Sequence, residues 1–121
     1  MANIIKPLNI KKLFMYAIRK PILIITETNE QAALIMDDLR AYCREYYPQL
    51  MSRHYFKDII YINGYEKIMV IPLEKWAAEN RIDFKGHVYT LSDEIPENIP
   101  HIIEQPMTLR EAFLPKLEDI R

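Results

Sequence analysis

Residues 21–26 read PILIIT, and the arrangement of the whole chain turns on these six. Four consecutive aliphatic residues stand between Pro21 and Thr26 with no in-and-out alternation. A strand with one wet face alternates apolar and polar side chains, whereas a strand covered on both faces reads as an unbroken apolar run. PILIIT is therefore expected to be an interior strand of a largely parallel sheet.

Upstream, residues 8–19 (LNIKKLFMYAIR) predict a helix with Asn9 as N-cap, with Ile10, Leu13, Phe14, Ala17 and Ile18 on one side and Pro21 as its stop. This helix is expected to cover the second face of the sheet. Downstream, Thr28 and Gln31 have the spacing of a capping box, which opens a helix over about 29–47. Its inner stripe is Ala32, Ile35, Leu39, Tyr42 and Tyr46, with Met36 and Cys43 beside it.

Residues 58–72, DIIYINGYEKIMVIP, hold two strand-like runs joined by Asn63-Gly64, a dipeptide that tolerates the positive φ angles of a type I′ hairpin. LEKWAAEN (73–80) predicts a short helix with Leu73, Trp76 and Ala77 inward, and HVYTL (87–91) a strand with Val88 and Leu91 inward. Beyond it Pro96, Pro100, Pro106 and Pro115 break the chain, and Thr108 and Glu111 form a second capping box in TLREAFL.

From the first strand onward the order is βαββαβ. The expected fold is α/β, a small three-layer Rossmann- or RecA-like sheet with its β-hairpin at an edge and an irregular C-terminal tail. The alternative is an α+β ferredoxin-like βαββαβ sandwich, with antiparallel strands and both helices on one face. Residues 1–95 are expected to form a single α/β domain, and 96–121 a proline-punctuated tail that packs on the domain or on a partner.

The composition narrows the function classes. The chain has 121 residues, enough for one core and too few for two. Its apolar runs are too short to span a bilayer and its N-terminus mixes lysines into the apolar residues, so no membrane role is expected and the cytoplasm is the expected compartment. Cys43 is the single cysteine, so no internal disulfide forms; a thiol on an apolar helical stripe packs rather than reacts. His54, His87 and His101 lack metal-ligand spacing. His87 lies too far along an extended strand from Asp93 and Glu94 to share a site with them unless the chain turns. Ser52 and Ser92 lack a nucleophile-elbow context. No catalytic residue, metal or cofactor is expected, and the chain is read as a non-enzyme.

Charge is distributed unevenly. Lys6, Lys11, Lys12, Arg19 and Lys20 occupy residues 1–20 with no acid, whereas residues 91–121 carry seven acids against Arg110, Lys116 and Arg121. The basic segment is expected to pair with the acidic tail or to lie in solvent; it is also suited to an acidic partner. Between the two ends, Tyr42, Tyr46, Tyr47, Tyr55, Phe56, Tyr61 and Tyr65 lie among Arg44, Arg53 and Lys57, a mixture that suits single-stranded nucleic acid as well as a wet sheet edge.

Three patches resemble the ATPase core of phage terminases and helicases, and small phage-encoded proteins similar to pieces of it. PILIITETNEQA resembles the strand and turn after the first core helix of those enzymes, INGYEKIMVIP their hairpin, and FKGHVYTLSDEI the segment leading into a Walker B strand. The resemblance covers about residues 8–95. It implies that Asp93 matches the Mg²⁺-organising acid and Glu94 the acid that activates water. Ser92 stands where an apolar residue is usual. No Walker A loop accompanies these patches: MANIIKP occupies its place, and Gly64 and Gly86 are the only glycines of the chain. Without glycines and a Gly-Lys-Ser/Thr run the backbone cannot curl round phosphates, which excludes a self-sufficient P-loop NTPase.

The leading expectation is a small, non-catalytic cytoplasmic protein, phage-encoded as the resemblance implies, that binds a protein partner through the tail, the hairpin or both. The alternatives are a nucleic-acid-binding accessory protein and a subunit that lends acids to a composite NTPase. The interaction residues implied are Lys11, Lys12, Arg19 and Lys20 on the first helix, Asn63, Gly64 and Tyr65 at the hairpin tip, and Asp93 with Glu94. An open sheet edge is compatible with homo-oligomers.

Overall fold

The computed structural model describes residues 10–46, 59–62, 65–79, 83–92 and 94–113. The expected N-cap Asn9, the hairpin residues Asn63 and Gly64, the acid Asp93 and residues 47–58 lie outside the described residues.

The elements in chain order are α1 (Ile10–Arg19), β1 (Ile22–Thr26), α2 (Asn29–Tyr46), β2 (Ile59–Ile62), β3 (Tyr65–Pro72), α3 (Leu73–Ala78), β4 (His87–Thr90), β5 (Met107–Thr108) and α4 (Leu109–Phe113). Five strands make one sheet in the order β2-β3-β1-β4-β5. β1 runs parallel to both its neighbours, with Ile22 opposite Ile68 on one side and His87 on the other. All five of its residues are buried, as the lack of alternation in PILIIT predicts. The fold is thus α/β, and the parallel pairing removes the antiparallel ferredoxin-like alternative. β2 and β3 form the expected antiparallel hairpin, with a register irregularity between Ile60 and Tyr61. β2 lies at the edge, while β3 is internal beside β1.

Alternate residues of the central strands feed two cores. On one face Ile22, Ile24, Ile68, Val70 and Tyr89 meet Leu13, Phe14 and Ala17 of α1, the stripe Ala32, Ile35, Met36, Leu39 and Cys43 of α2, and Leu109 and Phe113 of α4. On the other, Leu23, Ile25, Met69, Ile71 and Val88 meet Trp76 of α3, with Phe84, Ile99 and Ile102 packed against them. This corrects the placing of the first helix. α1 shares a face with α2, where Phe14 stacks on Tyr42 with ring centroids 5.6 Å apart. The second face is covered by α3 and by the irregular segment 94–106, whose apolar residues follow no helical period.

Local chemistry sets the element ends. The Gln31 N–H donates to Thr28 Oγ1 at 3.1 Å, and Gln31 Oε1 accepts from the Thr28 and Glu27 N–H groups at 3.2 and 2.9 Å, so the capping box forms as predicted. In the second box the Glu111 N–H donates to Thr108 Oγ1 at 3.1 Å. Three inward assignments fail. Ile18 is 52 % exposed, one position round the helix from buried Ala17; Tyr46, at the last turn of α2, is 58 % exposed because the buried stripe ends on Cys43; and Ala77 is exposed because a six-residue α3 buries only the single stripe that ends on Trp76.

Residues 94–106 form a strap across the second face. Trp76 Nε1 donates to the Pro100 carbonyl at 2.7 Å, and the Phe84 N–H donates to the His101 carbonyl at 2.7 Å. His101 takes φ 58°, a left-handed conformation that a non-glycine residue holds only where its surroundings fix it. The strap then enters β5, where Tyr89 pairs with Met107 and Thr90 with Thr108. Residues 107–113 therefore add a strand and a helix to the domain.

Among the described residues no helix is long and apolar enough to cross a membrane.

Candidate functional site

Open parallel sheets bind ligands in the crevice outside the carboxyl ends of their strands, where neighbouring connections leave toward opposite faces. The same arrangement arises here at β1. Its connection enters α2 on one face, whereas β3 leads into α3 on the other and β4 into the strap. A cavity of about 1020 Å³ opens at these strand ends.

Each wall has a local cause. β1 and β4 both end on a buried threonine whose hydroxyl donates to the carbonyl two residues on, Thr26 Oγ1 to Thr28 at 2.9 Å and Thr90 Oγ1 to Ser92 at 3.2 Å. Each bond turns the chain out of the sheet. The Leu91 N–H still donates to the Ile25 carbonyl at 3.0 Å, which holds the two exits side by side. Pro72 stops β3, and α3 begins at once, bringing Leu73, Glu74 and Ala77 to the mouth. Ser92 Oγ accepts from the Glu94 N–H at 3.2 Å and turns the strap so that residues 94–98 form the far wall.

The crevice is apolar within and acidic at its mouth. Ile25, Leu73, Ala77, Ile95 and Pro96 contribute its apolar surface, and every ionisable residue among the described lining is a glutamate: Glu27, Glu74, Glu94 and Glu97. All four are exposed. A second cavity of about 600 Å³ shares Ala77, Pro96, Glu97 and Asn98 with the first and continues along the strap to Pro106.

The predicted interaction residues separate in space. Glu94 stands at the crevice. Lys11, Lys12 and Arg19 lie on the exposed side of α1, where Lys12 Nζ sits 5.6 Å from the Tyr16 ring centroid. Lys20 pairs with Glu104 of the strap, the internal pairing of basic segment and acidic tail that the charge distribution suggests. Tyr65 opens β3 at the hairpin, away from the crevice. Of the aromatic mixture, Tyr42 stacks on Phe14 in the α1–α2 packing, and exposed Tyr46 lies tilted against Tyr42 on the same helix with ring centroids 4.6 Å apart.

A second polar cluster stands at the opposite, amino end of β4. His87 Nδ1 lies 3.0 Å from Glu104 Oε2, and Glu104 also holds Lys20. Burial first, and the nearby Lys20 charge second, lower the His87 pKa. The Tyr16 and Tyr89 rings flank His87 at 6.3 and 6.2 Å. His87 is thus turned toward Glu104 and not toward Glu94, beyond the far end of its strand. Among the described residues no three His, Cys, Asp or Glu side chains converge as metal ligands would. Cys43 is buried, which raises its thiol pKa and holds it in the unreactive form.

The crevice was not legible in the sequence, and of the Lys20–Glu104–His87 cluster only the pairing of the basic and acidic segments was, since both sites join residues distant along the chain. The one local signal was the pair of threonines closing PILIIT and HVYT, which mark where the two strands leave the sheet together. Compared with protein-family models, with curated proteins and with solved structures, the chain matches none.

Proposed function

We propose that this protein is non-catalytic and acts by binding another protein in the crevice at the carboxyl ends of β1, β3 and β4. The observation that supports this reading is the crevice itself, a large apolar-lined opening at the position where open parallel sheets hold their ligands. The hydroxyls of its lining are engaged with backbone: those of Thr26 and Thr90 donate to carbonyls, and Ser92 Oγ accepts from the Glu94 N–H. The start of the tail is one wall of the site, which joins the tail to binding without making it a free appendage. Removing 96–121 would also remove Leu109 and Phe113 from the core, so truncation is not a clean test.

A photo-crosslinking residue at exposed Ala77 is the direct one. In nuclease-treated lysate of the native host, a protein adduct formed through position 77 and absent with the same group at Lys11 supports the reading. Adducts at neither site, or adducts that vanish with nuclease, overturn it.

A second reading, nucleic-acid binding through α1, is favoured by one observation: Lys11, Lys12 and Arg19 share the exposed side of a helix whose other side is locked into the core. It predicts affinity for an oligonucleotide that falls steeply with salt as counterions are released. A flat salt response removes it. The composite-NTPase reading is disfavoured by charge, since four glutamates at the crevice mouth repel the phosphates that Glu94 would have to serve.

A further inference from the structure

Resting on that protein-binding reading, we infer that the occupant of the crevice is an extended peptide segment in which Lys or Arg alternates with large apolar residues. Three features of the crevice lead there. Its walls are hydrophobic at Ile25, Leu73 and Ile95, so an occupant gains by burying apolar side chains. Its mouth carries Glu27, Glu74, Glu94 and Glu97, so cationic side chains are favoured and anionic ones repelled. Its lining extends along the strap, because a neighbouring cavity shares Ala77, Pro96, Glu97 and Asn98 with it and is lined by the strap as far as Pro106. A compact ligand would fill one end of such a groove, whereas an extended chain runs along it.

Alternation is what an extended peptide supplies. Successive side chains of an extended strand point to opposite sides, so one set turns to the apolar wall while the next meets the carboxylates. The long stems of Lys and Arg add apolar contact of their own and carry their charge out to the rim. The neighbouring cavity is lined by Ile99 and by Ile103, the latter well exposed, which provides apolar positions for further residues of the same segment.

The test is a titration of the ¹⁵N-labelled full chain, followed by amide chemical shifts, with four probes: the peptide acetyl-LKLRLKL-amide, its charge-reversed form acetyl-LELELEL-amide, its apolar-stripped form acetyl-GKGRGKG-amide, and spermidine. The expected result is saturable shifts at Thr26, Leu73, Glu94 and Ile95 with the first peptide only. Combining Glu27→Gln, Glu74→Gln, Glu94→Gln and Glu97→Gln should weaken that binding about tenfold or more, as expected for several solvent-facing ion pairs acting together. These side chains are exposed, so the remaining amide spectrum should stay unchanged and reports that the fold is intact. Equal shifts with the charge-reversed peptide, with the stripped peptide or with spermidine overturn the inference, as do shifts confined to residues outside the groove. Concentration-dependent shifts without any probe would make a second copy of this chain the occupant and likewise overturn it. A silent crevice alongside a protein adduct at position 77 leaves the protein-binding reading standing and removes only the basic-apolar chemistry. A silent crevice without that adduct removes both.

Discussion

Phe113→Ala asks whether α4 belongs to the core of the domain. Phe113 is 2 % exposed and its ring lies edge-on to Tyr89 at 4.9 Å and to Tyr16 at 5.8 Å. Truncating a fully buried phenylalanine costs about 3–5 kcal/mol in lost transfer energy and cavity formation, with the edge-on ring contacts included in that loss. Against a total stability of about 5–15 kcal/mol for a domain of ordinary size, this is a large fraction. With a urea slope near ~2 kcal/mol per molar, the unfolding midpoint should fall by about 1.5–2.5 M. Taking ~2.1 cal/mol/K of unfolding entropy per residue over the 121 residues, the melting temperature should fall by roughly 12–20 °C. Met107→Ala, at a side chain 44 % exposed on β5, serves as the control and should stay within about 0.5 kcal/mol. Urea unfolding followed by circular dichroism measures both. A Phe113→Ala loss below about 1 kcal/mol at unchanged slope, far under the cost of a buried phenylalanine, would refute the placing of α4 in the core.

Three further expectations follow from particular contacts. Thr28→Ala removes the hydroxyl that caps Gln31 and should cost about 1 kcal/mol in urea unfolding, while Thr28→Ser should restore most of it. Gly86→Ala should destabilise by about 1–3 kcal/mol, because a Cβ there would run into the Pro21 carbonyl and the Phe84 ring; an unchanged midpoint would mean that this corner yields freely. The His87 pKa is lowered on folding, so the folded state favours the neutral ring, and its contribution is complete above the unfolded value of 6.5 and declines as pH falls below it. Stability measured from pH 8 to pH 5 should therefore drop more in the native protein than in His87→Gln, and parallel curves would reject the assignment.

The sheet was legible where the signal is local. Unbroken apolarity in PILIIT gave a strand buried on both faces, Thr28 with Gln31 gave the start of α2, and the runs on either side of Asn63-Gly64 gave the β2–β3 hairpin. What escaped depends on contacts between distant residues. Whether α1 lies above or below the sheet is set by whether its apolar stripe meets Ile22 and Ile24 or Leu23 and Ile25, and a strand apolar at all four positions offers both choices. The strap was legible as proline-broken chain, but its path is fixed by single bonds such as Trp76 Nε1 to the Pro100 carbonyl, which no periodicity announces. The crevice was hidden for the same reason, although one of its acids, Glu94, had already drawn notice as a strand-ending carboxylate.

The central position of β1 also governs how the chain is made. Among the described strands it stands first in the sequence, and both its neighbours come later, since Ile22 pairs with Ile68 and with His87. Sheets built from such distant pairings fold slowly, and a nascent chain holds its sticky segments unpaired meanwhile. ILIIT is such a segment, and it is bracketed by Lys20 and Pro21 on one side and Glu27 on the other. Charges and a proline at the margins of a hydrophobic run act as gatekeepers against intermolecular strand pairing. The residues that frame β1 in the finished sheet thus also guard it during synthesis.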